Sequence, residues 1–146
     1  MSNRKGQCMC GAVTFTADLD RQEFGACHCD MCRRWTGSAF LGITVPTDKI
    51  TFEGQENIQQ LQSSDWAERA FCKKCGSPLW YKVTAEGPMS GSLELPIGLL
   101  DDSDDLKMTR QIFIDQKPSS FSYTGDHKLL TRAEVMALYG VNLDED

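Results

Sequence analysis

Apolar and polar residues alternate over short stretches along most of this chain. Val13 and Phe15 stand between Thr14 and Thr16, and Ile50 and Phe52 stand among Lys49, Thr51 and Glu53. Alternation with a period of two marks half-buried strands, because successive side chains point to opposite faces. The pattern predicts strands over residues 7–16, 38–46 (through Ala39-Phe40-Leu41-Gly42-Ile43) and 49–53. A turn follows at 54–57, then a weaker strand at 58–63, polar enough to sit at a sheet edge. Two apolar strands flank the turn Cys72-Lys73-Lys74-Cys75, and two more are expected at 92–97 and 111–114. Helical signals are few. Residues 30–35 read as one helical turn, stopped by Gly37. Thr131-Arg132-Ala133-Glu134 is a capping box opening a short helix with Val135, Met136, Leu138 and Tyr139, with Gly140 placed to end it. Residues 18–23 read as a charged connection. The chain is therefore mainly β, with a short C-terminal helix and no internal repeat.

Composition narrows the class. At 146 residues the chain reads as one domain, 1–146, able to bury roughly 70% of its unfolded surface and so to build an ordinary core. The net charge of −6 argues against nucleic acid as a partner. No apolar run reaches the ~18 residues of a membrane helix. The first residues are polar and run directly into Cys8, without the apolar core of a signal peptide, so a cytoplasmic setting with reduced thiols is expected. The acidic run at 101–105 reads as a solvated turn rather than a calcium loop, whose spacing it does not match.

The seven cysteines change the picture most. An odd number cannot pair completely as disulfides. Cys27, Cys29 and Cys32 fall within six residues, a density that suits a metal, with zinc as the default ion for thiolates. Cys8-Met9-Cys10-Gly11 and Cys72-Lys73-Lys74-Cys75-Gly76 are two pairs far apart in sequence, each followed by glycine. The first alone also fits two small buried residues, and the second alone also fits a redox pair, although Gly-Ser-Pro after it breaks a helix. Taken together, the two pairs make a four-thiolate zinc site with no open position. The triad then makes a three-thiolate site with one position open, the arrangement that separates catalytic from structural zinc. In extended chain Cys8 and Cys10 project to one side, as do Cys27 and Cys29. By the same rule His28 points away from the triad, with a role as ligand the other possibility. Arg33 and Arg34 are candidates to dock an anionic substrate, or are two solvated charges, and Trp35 is placed to wall a pocket. Lys73 and Lys74 can balance thiolate charge, His127 reads as plain surface, and Asp30 and His28 are the general-base candidates near the triad.

The segments Cys8-x-Cys10-Gly11-Ala12-Val13-x-Phe15, Cys27-His28-Cys29-x-x-Cys32-Arg33-x-x-x-Gly37-Ser38-x-Phe40 and Phe71-Cys72-x-x-Cys75-Gly76-Ser77-x-Leu79-x-Tyr81 resemble the glutathione-dependent formaldehyde-activating enzyme family. The resemblance covers roughly residues 5–121. It implies a β-tent of stacked antiparallel sheets. It implies a structural zinc on Cys8, Cys10, Cys72 and Cys75, and a second, labile zinc on Cys27, Cys29 and Cys32. The implied activity is carbon–sulfur lyase chemistry, the reversible joining of formaldehyde and glutathione, with the substrate thiol as fourth zinc ligand. One stretch departs from the family pattern: Lys117-Pro118-Ser119-Ser120-Phe121 lacks the tryptophan expected before Phe121, which bears on how the thiol is recognised. The alternative is a zinc-stabilised β-tent binding module without turnover, for a small ligand or a protein, since fold alone does not set function.

Overall fold

A computed structural model describes residues 2–139, the side chains of Ser2 and Tyr139 excepted. Along the chain run β1 (Ser2–Gln7), β2 (Thr14–Leu19), β3 (Glu23–Cys27), α1 (Asp30–Thr36), β4 (Phe40–Pro46), β5 (Ile50–Glu53), β6 (Ile58–Gln62), β7 (Ala67–Cys72), β8 (Pro78–Val83), β9 (Ser92–Pro96), β10 (Lys107–Ile112), β11 (Lys128–Leu130) and α2 (Arg132–Tyr139). Two sheets form. The smaller has the order β1-β2-β5, and the larger β11-β10-β3-β4-β9-β8-β7-β6. All pairings are antiparallel except those of β10, which runs parallel to both β3 and β11. The fold is thus mainly β with stacked sheets and a short C-terminal helix, as expected.

Alternation decides what each face of the large sheet does. Ile43 and Val45 of β4 and Leu93 and Leu95 of β9 point to one side, where they bury against Phe15, Ala17 and Leu19 of β2. Fully burying such a side chain stabilises by roughly 1.5–3 kcal/mol, so these rows hold the two sheets together. Residues between them face the other way. Thr44, Glu94, Tyr81 and Arg69 lie directly opposite one another across β4, β9, β8 and β7. Gly25 pairs with Gly42, and Cys27 with Phe40. The two glycines matter for close approach: a Cβ on Gly42 would fall 2.3 Å from the Phe40 ring, and one on Gly25 would fall 2.8 Å from Arg110 Cγ. Their bare backbone lets an aromatic ring and an arginine stem lie flat over the sheet. The smaller sheet does not cover this second face. Over it lie Met31 and Cys32 of α1, Val135 and Met136 of α2, and Ala85, Pro88 and Met89 of the loop before β9.

Several elements differ from the sequence expectation. The strand over 7–16 is broken: β1 ends at Gln7, β2 begins at Thr14, and residues 8–13 form a loop closed by Cys8 N–H donating to Val13 O at 3.0 Å. Cys8 and Cys10 therefore sit on a turn and not on extended chain, with Gly11 at φ +81° supplying the bend. The polar β1 carries no alternation of its own and exists because it pairs with β2. β3 begins inside the expected charged connection. The strand expected at 111–114 runs instead over β10, because Phe113 takes a left-handed φ of 55°. Elsewhere the expectations hold. β6 is an edge strand. The capping box closes in both directions, Thr131 N–H to Glu134 Oε1 at 3.0 Å and Glu134 N–H to Thr131 Oγ1 at 3.2 Å. The expected helix stop at Gly140 lies outside the described residues. The acidic run is a turn pinned by Arg4, whose Nη1 donates to Asp105 Oδ1 at 2.7 Å.

Candidate metal centres and cavity

The first cysteine cluster joins two turns. Cys8 and Cys10 come from the β1–β2 loop, Cys72 and Cys75 from the β7–β8 turn, and Met9 N–H donates to Ser77 Oγ at 2.9 Å between them. All four Sγ atoms lie within 4.8 Å of one another. Two sulfur–sulfur separations are 3.7 Å (Cys8–Cys10) and 3.8 Å (Cys10–Cys72). A regular tetrahedron with zinc–sulfur bonds near 2.3 Å has edges of about 3.8 Å, so these spacings and this donor set fit a tetrahedral thiolate ion. Cys8 and Cys72 are part of the apolar core, and Gly76 at φ +80° lets the Cys72–Cys75 turn close. The Ser77 hydroxyl beside Cys75 holds that thiol down to about 5. The Ala12 amide favours ionised Cys10, but desolvation and its three sulfur neighbours push it up to about 11. Lys73 and Lys74 are exposed on the same turn.

The second cluster is local. Cys27 ends β3, Cys29 caps α1 with φ −62° and ψ 157°, and Cys32 lies one turn inside the helix, its N–H directed at Cys29 Sγ at 3.4 Å. Gly37 stops the helix in the left-handed conformation at φ 83°. The three sulfurs again lie within 4.8 Å of one another. Thiol hydrogen bonds from Cys27 and Cys32 bring Cys29 down to about 2. Cys27 is driven well above its ordinary value by the bonds it gives Cys29 and Cys32 and by burial. For Cys32 the bond with Cys27 favours the thiolate, yet the bond to Cys29 and burial prevail and raise it to about 12. One thiolate is thus favoured in this cluster, while a second and third need a cation beside them. Three soft anionic donors fit an ion of the zinc class.

Cys27, Cys29 and Cys32 all line a cavity of about 550 Å³. Its walls are largely apolar, with Trp66, Val83, Ile112, Phe113 and the methionines, and its charged groups include Arg69, Arg110, Arg132 and Glu94. Arg33, Arg34 and Trp35 are not among the residues that line this cavity. At 100° per residue the helix turns Arg33 and Arg34 away from Cys32. Arg33 Nη2 instead lies 3.8 Å from Asp30 Oδ1, and Arg34 is exposed. Trp35 stacks on Phe40 at 5.6 Å and supports the Arg69 guanidinium at 4.8 Å, so it backs the wall from behind. The sequence pattern does not single out Arg69, which stands beside Glu68 in Ala67–Cys72. Glu94 accepts from Thr44 Oγ1 at 2.7 Å, and burial raises its pKa; burial also pushes Tyr81 up to about 12.

His28 points away from the sulfurs, as alternation requires, and is 1% exposed. Its Nε2 meets Gln111 Oε1 at 2.8 Å, and Gln111 Nε2 meets His127 Nδ1 at 2.9 Å. The amide oxygen accepts from His28, and the amide nitrogen donates to His127. His127 is therefore half-buried and bonded, not plain surface. Asp30 remains on the cavity wall. Ser120, at the departure from the family pattern, is exposed and outside the wall.

Comparison with known proteins follows the same lines. The model of the family described as glutathione-dependent formaldehyde-activating enzyme matches residues 3–116. An uncharacterized lyase of Schizosaccharomyces pombe is 31% identical over 137 residues, covering 93% of this chain and 96% of its own. A Halomonas elongata protein named "Putative glutathione-dependent formaldehyde-activating enzyme" is 31% identical over 84 residues, 52% of this chain and 54% of its own. The crystal structure of a Rhodobacter sphaeroides protein, a structural-genomics target, superposes with a TM-score of 0.58 at 24% identity over 72% of this chain and 99% of that one, which supports the fold. Among the described residues no helix is long and apolar enough to cross a membrane.

Proposed function

The chain belongs to the glutathione-dependent formaldehyde-activating enzyme family, and on that premise we propose that it is a zinc-dependent carbon–sulfur lyase. It reversibly joins formaldehyde or a related aldehyde to glutathione or another small thiol. The observation that carries this reading is that Cys27, Cys29 and Cys32 converge and all face one cavity. Zinc on three thiolates offers one further position where a thiol is held deprotonated, and thiolate is the nucleophile toward an aldehyde carbon. The chain's own residues supply the rest. The apolar walls exclude water, and Arg110 offers a fork for a carboxylate on the thiol substrate. Taken as a whole, the reaction removes the thiol proton and delivers one to the aldehyde oxygen. Glu94, which burial keeps protonated to higher pH than an ordinary carboxyl, is the wall group suited to exchange it. The zinc of Cys8, Cys10, Cys72 and Cys75 is structural and joins two hairpin turns. A reducing, cytoplasmic setting keeps the free cysteines reduced.

The test is Cys29→Ser, with zinc per chain, melting temperature and glutathione–formaldehyde turnover measured together. The expected variant keeps its fold and one ion, and loses the second ion and turnover. An unfolded variant would make the triad structural and leave the domain a binding module. Turnover retained by the variant would remove the triad from the chemistry.

A further inference from the structure

Arg69 is an arginine where the fold should not tolerate one. It is 5% exposed, and among the described residues it forms no ion pair with a carboxylate. Its guanidinium is clamped between two rings, 4.8 Å from the centre of Trp35 and 4.9 Å from that of Tyr81. Among the described residues its Nη1 and Nη2 hydrogen-bond to one atom, Cys32 Sγ, at 3.7 and 3.9 Å. Its Nε is buried and unpartnered. Removing a cation from water costs several kcal/mol even after relaxation. Two ring contacts return about 0.5–2 kcal/mol each, and bonds to a neutral thiol are weak. The site balances only if the sulfur it faces belongs to an anion.

Charge counting names that anion. Three thiolates and one divalent cation leave a single negative charge, and an arginine cancels it. We infer that Arg69 is the built-in counter-charge of the three-cysteine site, a positioning residue that grips the Cys32 sulfur and makes the metal-loaded triad electrically neutral. Its place on the sheet makes this specific. Arg69 stands in one cross-strand row with Tyr81, Glu94 and Thr44, facing the cavity, while Ala70 and Cys72 next to it face the core. A one-residue slip of β7 would turn the arginine into the core and away from the sulfurs. Among the described residues the four-cysteine site shows no such partner: its neighbouring lysines are exposed on a turn. With the charge cancelled, a fourth, anionic ligand such as a substrate thiolate meets less repulsion at the triad than at an uncompensated three-thiolate site.

The inference rests on the triad holding a cation, so the experiment reads the ion rather than turnover. Metal-free protein is titrated with Zn²⁺ against a chromophoric chelator, and with Co²⁺ by thiolate-to-cobalt absorption, for wild type, Arg69→Met and Arg69→Lys. Wild type is expected to bind two ions. Arg69→Met should weaken the second ion on the order of 10–100-fold, the usual effect of removing a partner of a metal ligand. The first ion and the zinc-loaded melting curve should be unchanged, and Arg69→Lys should restore most of the loss. If Arg69→Met does not fold, Arg69→Gln, which keeps donors without charge, carries the same expectation. Second-ion affinity equal to wild type in the neutral variant, or no recovery in Arg69→Lys, overturns the counter-charge. One ion in wild type overturns both this inference and the lyase reading, whereas two ions with no dependence on residue 69 overturn this inference alone.

Discussion

Cys8, Cys10, Cys72 and Cys75 come from two hairpin turns brought together over a separation of 62 residues between Cys10 and Cys72. Cys27, Cys29 and Cys32 come from one strand end and the first turn of one helix. The first cluster spends all its positions on protein sulfur, two of its members are core residues, and the only cations on its own turns are exposed lysines. The second has three sulfurs, opens on a cavity and carries a buried arginine. The chemistry of the donors is the same in both. What differs is whether the ion closes a long loop of chain or faces a space that a small molecule can enter. A site of the first kind contributes to folding, and one of the second kind is free to exchange its outer ligand.

The largest test of that contrast is Cys72→Ser. An ion held by the first cluster as proposed would link its binding to folding, with ion-binding energies on the order of 10 kcal/mol in small zinc domains, against a total stability of roughly 5–15 kcal/mol for a domain. Circular dichroism and thermal melting should show loss of the folded state, in contrast to the folded Cys29→Ser variant. A folded Cys72→Ser protein with its second ion in place would erase the distinction. Chelation at neutral pH is the next test. Zinc release should be biphasic, with one ion leaving quickly while the melting curve holds, and the other leaving only as the protein unfolds. Single-phase release of both ions would mean that the clusters are equivalent.

The smallest effect concerns the two faces of the large sheet. Glu94 is held by Thr44 on the cavity face, and burial raises its pKa above the ordinary 4.5. Between the ordinary and the raised value the folded state binds more protons than the unfolded state, so stability falls as pH rises through that window. Above both values the penalty is fully present. Glu94→Gln keeps an oxygen for the Thr44 hydroxyl and removes the charge. It should melt higher than wild type at neutral pH and show a flatter dependence of melting temperature from about pH 5 to 8. A lower melting point at neutral pH would show that ionised Glu94 is stabilised by its surroundings, with Arg110 the nearest candidate.

What could be read from the chain alone was whatever depends on near neighbours. Ligand spacing is local, so both cysteine clusters and their division were legible, as were the Gly37 stop and the capping box at Thr131 and Glu134. Alternation gave the mainly β class and the polar edge strand β6. It did not give β1, whose polar residues form a strand only because β2 offers partners. Proximity in sequence is also a poor guide to which side chains reach the cavity. Arg33 and Arg34 follow Cys32 directly, and the helix rotates them away from it. Arg69 is 37 residues from Cys32 and lies within 3.7 Å of it. Gln111 likewise reaches His28 and His127 from β10. The two groups of cysteines that could hold a metal were thus a property of the sequence. The charge beside them, the acid on the cavity wall and the space they face were decided by strand register, which sets the face each side chain takes and the distant strand it meets.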